Sequence, residues 1–227
     1  MFKMKTPLAA GIAAIAAIAI TAGCASTDAS DSTKHEYTKM SPEALAEHLI
    51  ATGFRMDMPT QEGGTVADRH VQDDVQKICS AARNRPNAEQ VGKIMADARA
   101  SIQYPEGGIQ LGDWRRGRDL SWSGFGFRVG HNNDDHSTRD VGGNCYNCHA
   151  MGPDRQGGNL GPSLTGYGKL RNYNEASLRF AYEVMYNAHA YFPCSQMPRM
   201  GANGLLDQQS MADILAYLFD PESPVNQ

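Results

Sequence analysis

The chain has 227 residues, a net charge of −4 and 20% charged side chains. That balance offers no basic footprint for nucleic acid. The length allows one large domain or two small ones once any leader is set aside.

Lys3 and Lys5 precede an apolar run from Leu8 to Ile20, and small residues follow at Thr21-Ala22-Gly23-Cys24-Ala25. A basic start, a short apolar stretch and a small-residue cleavage region predict a secretory signal over residues 1–24. The run is shorter than the roughly 20 residues that a membrane-spanning helix needs. Export to a bacterial periplasm is therefore expected. Thr21-Ala22-Gly23-Cys24 looks like a lipobox, with Thr21 where Leu is usual; Cys24 would then be lipidated and become the mature N-terminus. Ordinary cleavage after Ala25 is the alternative. One lipid anchor would hold the protein at the membrane surface without making it integral.

Residues 25–40 are polar and read as a tether. A helical extension is expected over 41–103. Ser41 suits an N-cap and Pro42 the first helical position. Met56 to Thr65 is broken by Pro59 and Gly63-Gly64, so it reads as loop. Val71, Val75, Ile78 and Ala82 recur at helical spacing. So do Val91, Ile94, Met95, Ala98 and Ile102, after an Asn87…Gln90 capping box.

Tyr104-Pro105-Glu106-Gly107-Gly108 marks a boundary, which places a second domain at 104–227. The stretch GDWRRGRDLSWSG (112–124) predicts a helix, and 124–144, rich in Gly, Asn and Asp, predicts loop. Leu178, Ala181, Tyr182 and Met185 share a helix face behind a cap at Asn174. In the last helix Met211, Ile214, Leu215 and Leu218 do the same, with Asp207 as cap and Pro221 as terminator. No long alternating run argues for a sheet. The expected fold is mainly α.

Residues 142–152 read GGNCYNCHAMG. Cys-x-x-Cys-His is the attachment signature of c-type haem, in which Cys145 and Cys148 bond the porphyrin and His149 lies beneath the iron. A zinc site would want a second close pair of ligands, and none follows. A redox dithiol would be expected near a βαβ pattern, which the chain lacks. One such motif predicts one haem. Far downstream, PCSQMPRMG (193–201) offers Met197 and Met200 as soft sixth ligands, a pairing that raises the potential and suits electron transfer. Met197, followed by Pro198, is the first choice and Met200 the second. Met151 is too near His149 to reach the opposite face, and Met185 sits on an apolar helix face. His131 and His136, among Asn and Asp residues, read as solvated loop; His35, His48 and His70 have no ligand-like partners. His189 is expected to make a structural hydrogen bond.

Cys79 and Cys194 are left over. In an oxidising compartment they most simply pair, the alternative being two buried thiols. The closed loop of 115 residues sets a chain-entropy ceiling of about 4–5 kcal/mol.

GGNCYNCH, GNLGPSLTGYGKLR, YNAHAYFPCSQMPRMG and the terminal DPESPVN together resemble SoxX, the monohaem subunit of SoxXA cytochromes. The likeness runs from about Tyr104 to the C-terminus. YP.GG…LGDW, and Cys79-Ser80, resemble the subgroup with an N-terminal extension. The resemblance implies a class I cytochrome c-like domain, haem on Cys145 and Cys148, and His149 and Met197 as axial ligands. It places Pro162 where a proline carbonyl accepts a hydrogen bond from the proximal histidine. The familiar loop is MPRFG; here Met200 replaces Phe. The family's complex, an L-cysteine S-thiosulfotransferase, joins thiosulfate oxidatively to a cysteine of a SoxY-type carrier protein. Its reactive haem and cysteine lie on the SoxA subunit. A SoxX chain accepts the electrons and passes them to a downstream cytochrome c. Two alternatives stay open: a free-standing carrier, and a haem enzyme or sensor with an exchangeable ligand.

Overall fold

A computed structural model describes residues 37–53, 55–60, 63–127, 135–153 and 155–227. The signal, Cys24, His35 and His131 lie outside the described residues. The chain divides into two units, 1–50 and 51–227. In the first, Tyr37 packs against His48 with ring centroids 5.5 Å apart. Helix α1 (Pro42–Gly53) starts where Ala44 N donates to Ser41 Oγ (3.1 Å) and carries no buried residue.

The remaining helices are α2 (Val66–Arg69), α3 (Asp74–Ala81), α4 (Ala88–Ala100), α5 (Trp114–Trp122), α6 (Tyr167–Arg171), α7 (Glu175–Tyr186) and α8 (Gln208–Phe219). Short 3₁₀ turns occur at Cys145–Asn147, Ala188–Ala190 and Pro224–Asn226. Among the described residues the only extended pairing is two isolated bridges, so the fold is mainly α. No helix among them is long and apolar enough to cross a membrane.

Capping residues set the boundaries. Asn87, Asn174 and Asp207 each accept from a backbone N–H three residues on, at 2.9, 3.0 and 2.7 Å. The expected helix from Val71 to Ala82 is shorter than its spacing suggests. Asp73 forms a reciprocal box with Gln76, so α3 begins after it. Val71 is left 73% exposed ahead of the helix and Ala82 becomes its C-cap. His136 is not solvated either: it is half-buried against the rings of Phe125 and Phe127, at 5.9 and 5.0 Å.

The core is built on α8, buried from Ser210 to Phe219 apart from Ala212. α5 crosses it closely. A Cβ on Gly117 would stand 1.9 Å from the Asp213 carbonyl oxygen, so this crossing admits only glycine. Asp213 is 2% exposed, and its carboxylate is satisfied by the Arg116 guanidinium, Asp113 N (2.8 Å) and Gln209 Nε2 (3.0 Å). Removing one partner of a buried ion pair typically costs about 3–5 kcal/mol. The C-terminus is fastened to the same helix: Asn226 Nδ2 donates to Leu218 O (3.0 Å) and Asp220 O (2.9 Å), while its Oδ1 accepts from Gly168 N (3.0 Å).

A smaller cluster of Cys79, Ile94 and Cys194, flanked by Val75 and Ile78, joins α3 and α4 to the segment after α7. A polar seam lies beside it. Glu183 on α7 accepts from the Tyr104 and Tyr191 hydroxyls and from Arg179 Nε (2.7 Å). Burial pushes the Glu183 carboxyl up, but the three donors outweigh it, and its pKa lies below the ordinary range. A depressed folded-state pKa gives stability that is full above the unfolded value of about 4.3 and is lost as pH falls through the folded value. In urea unfolding, the gap between wild type and Glu183→Gln should be widest near neutrality and shrink below about pH 4. A gap that stays constant with pH contradicts this account of the seam.

Candidate functional site

The Cys-x-x-Cys-His segment folds as a tight turn beside the C-terminal end of α5. Asn144 takes a left-handed conformation (φ 50°), which Asn tolerates better than most residues. Cys148 N and His149 N then both donate to Cys145 O, at 3.1 and 2.9 Å. The turn is held from both sides. Gly143 N donates to Leu120 O (2.9 Å) and Asn144 N to Ser123 O (2.9 Å), which ties it to α5. Tyr146, between the two cysteines, is 4% exposed, pairs its hydroxyl with that of Tyr217 on α8 (2.5 Å) and meets Trp122 edge-on. The two cysteines thus share one short turn across the α5–α8 crossing.

Residues 157–164 wrap the motif. Gly158 N donates to Tyr146 O (2.8 Å), Gly161 N to Cys148 O (2.8 Å) and Leu164 N to Ala150 O (2.7 Å). The imidazole of His149 lies against the Gly161 backbone, where an added Cβ would stand 2.3 Å from Cε1. Its Nδ1 bonds Pro162 O at 2.7 Å. A carbonyl only accepts, so Nδ1 carries the proton, and in the neutral imidazole Nε2 is the nitrogen with a lone pair for a metal. Carbonyl contacts of this kind fix the ring of a ligating histidine and raise its basicity.

Burial pushes the Cys145 thiol up to about 11, outweighing a hydrogen bond from Ser121. That is opposite to the depressed thiol of a redox dithiol. Among the described residues no three His, Cys, Asp or Glu side chains converge as a metal cluster. The residues present do fit a covalent haem: two sulfurs on one turn, an imidazole with Nε2 free, and a glycine wall that keeps the ring in place.

The methionines separate clearly. Met151, Met185 and Met200 are 1%, 6% and 6% exposed and belong to the core. Met197 is only partly buried, packs on the edge of that core, and has its N–H held by Ser195 Oγ (3.1 Å). His189 makes the expected structural bond, its Nε2 donating to Ser195 O (3.1 Å). Its Nδ1 is buried without a partner, as are the indole nitrogens of Trp114 and Trp122. Nothing in the sequence flagged those three atoms.

Cys79 and Cys194 are bonded, with Cα atoms 5.4 Å apart. The loop they fasten is also held by an ion pair between Arg199 and Asp73, a contact across 126 residues that local spacing gave no means of finding. His70 Nδ1 bonds Val66 O at 2.9 Å.

No family model matches the chain. Over 158 residues it is 39% identical to an uncharacterized lipoprotein of Aquifex aeolicus (strain VF5), covering 69% of this chain and 73% of that protein. The chain belongs to the family of that lipoprotein. The match extends over 158 residues, far more than a short motif.

Proposed function

We propose that the chain is the electron-transfer subunit of a SoxXA-type cytochrome. Its class I cytochrome c-like domain would carry one covalent haem c on Cys145 and Cys148, with His149 and Met197 as axial ligands. The observation that carries the reading is the hydrogen bond from His149 Nδ1 to the Pro162 carbonyl (2.7 Å), which holds the ring and leaves Nε2 as the nitrogen available to a metal. When bound, the haem supplies a one-electron ferric/ferrous couple whose potential a His/Met pair raises. Pro162 orients the imidazole and increases its electron donation. Met197 contributes a soft thioether from a loop that the core does not bury. With His149 and Met197 both bound to the iron, the haem would offer no open position to a substrate.

Sulfur chemistry therefore belongs on another chain. Cys79 and Cys194 are bonded to each other, and Cys145 and Cys148, which form no disulfide, would be the attachment pair. A SoxA-like haem subunit would perform the oxidative joining of thiosulfate to the cysteine of a SoxY-type carrier. The present chain would take up the electrons and deliver them to a downstream cytochrome c. The lipoprotein name of the Aquifex relative favours Cys24 as the lipidated N-terminus, which would anchor this periplasmic domain to the membrane. The same observation favours, as a second reading, a free-standing membrane-tethered cytochrome.

Met197→Ala should abolish the far-red sulfur–iron absorption of the ferric protein. Met200→Ala should keep that band and instead lose about 2–5 kcal/mol of stability as a core truncation. The reverse pattern overturns the choice of ligand. Native pull-down from thiosulfate-grown cells separates the two readings: a second haem-bearing subunit is expected, and recovery of this chain alone supports the free-standing carrier.

A further inference from the structure

Met197 sits between two long-range anchors that come from one helix outside the haem-bearing half of the chain. Three residues before it, Cys194 is bonded to Cys79 on α3. Two residues after it, Arg199 is paired with Asp73, the N-cap of the same helix. The Arg199 side chain is 15% exposed and that of Asp73 45%, so the pair is shielded from water on the arginine side. Four residues, 195–198, are left between the anchors. Inside that span Ser195 is itself held, its carbonyl by His189 Nε2 (3.1 Å), and its hydroxyl takes the Met197 N–H (3.1 Å). α3 is a firm base for both anchors, because Cys79, Val75 and Ile78 pack with Ile94 of α4. The two oxygens of Asp73 divide the work: Oδ1 accepts from Gln76 N (2.8 Å) to cap α3, and Oδ2 takes Arg199.

We propose that α3 is a positioning device for the sixth ligand, with Asp73 and Cys79 as positioning residues that clamp the Met197 loop on both sides. The proposal rests on the reading of Met197 as the iron ligand. A thioether bound to ferric iron is a weak ligand competing with external ones. Its success depends on its effective concentration at the iron, which is set by how tightly its loop is held. If a loosened loop spends only a fraction of its time in the binding geometry, methionine ligation weakens by that fraction and a competitor binds tighter by the same factor. The extension would thus serve to keep the haem six-coordinate, and not only to enlarge the fold.

The test is titration of the ferric holoprotein with imidazole, followed by loss of the far-red band. Three variants are compared with wild type. Cys79→Ala/Cys194→Ala removes the covalent anchor. Asp73→Asn removes the charge facing Arg199 but keeps an acceptor for the helix cap, since Asn caps as well as Asp. Lys93→Ala breaks an exposed ion pair with Asp97 on α4 and serves as the control. The double cysteine variant should bind imidazole about 10-fold tighter and Asp73→Asn about 3-fold tighter, in proportion to the lost preorganisation. Lys93→Ala should match wild type, with haem content and far-ultraviolet dichroism unchanged throughout. Should the cysteine variant fail to fold, Asp73→Asn decides the matter alone. Imidazole affinities indistinguishable from wild type in both clamp variants overturn the proposal. A wild-type protein that carries covalent haem but shows no far-red band would overturn the ligand assignment instead.

Discussion

The cysteine turn rests on the crossing of α5 over α8, where Gly117 lets the backbone at Asp213 come within contact distance. Two helices can meet so closely only because one has no side chain there and the other's carboxylate is fully paired. Asp213 is buried, and Arg116, Asp113 and Gln209 together replace the water it gives up. The cysteine turn depends on this crossing. It is tied to α5 through Leu120 and Ser123 and to α8 through Tyr146 and Tyr217. A change in the crossing angle would move the two sulfurs together with the imidazole.

A second layer of constraint lies between the turn and the segment 157–164. That segment brings glycines against the motif and supplies the Pro162 carbonyl to His149. The ring is therefore oriented before any metal arrives. A third layer is the disulfide and ion pair from α3, which restrict the loop carrying Met197. The two proposed ligands are thus held by different means, one by close backbone packing and the other by long-range tethers. Rigid presentation of both lowers the reorganisation that accompanies a change of one unit of charge, as an electron carrier requires.

Much of this was legible where the signal is local. Caps at Ser41, Asn87, Asn174 and Asp207 act over three residues, so their partners follow from spacing alone. The apolar faces of α7 and α8 were equally plain, as was the pairing of two otherwise unassigned cysteines. The failures share a cause. Val71 has the right spacing for α3, but the Asp73 cap starts the helix after it. His136 sits among polar residues in sequence, yet two aromatic rings half-bury it. Nothing in the local sequence singles out Asp213, and only its approach to Arg116, 97 positions away, explains its burial. Arg199 and Asp73 likewise lie 126 residues apart, on the two segments that the disulfide also joins.

The central claim is that Cys145 and Cys148 hold a haem covalently, so that the chain carries electrons and leaves sulfur chemistry to a partner. Mass spectrometry of the peptide spanning residues 145–149, taken from protein denatured in acid and organic solvent, tests it most directly. The account predicts a single haem retained on that peptide through both cysteines, because thioethers survive conditions that release coordinated haem. Recovery of the same peptide with two free thiols, or with the thiols joined to each other, would contradict it.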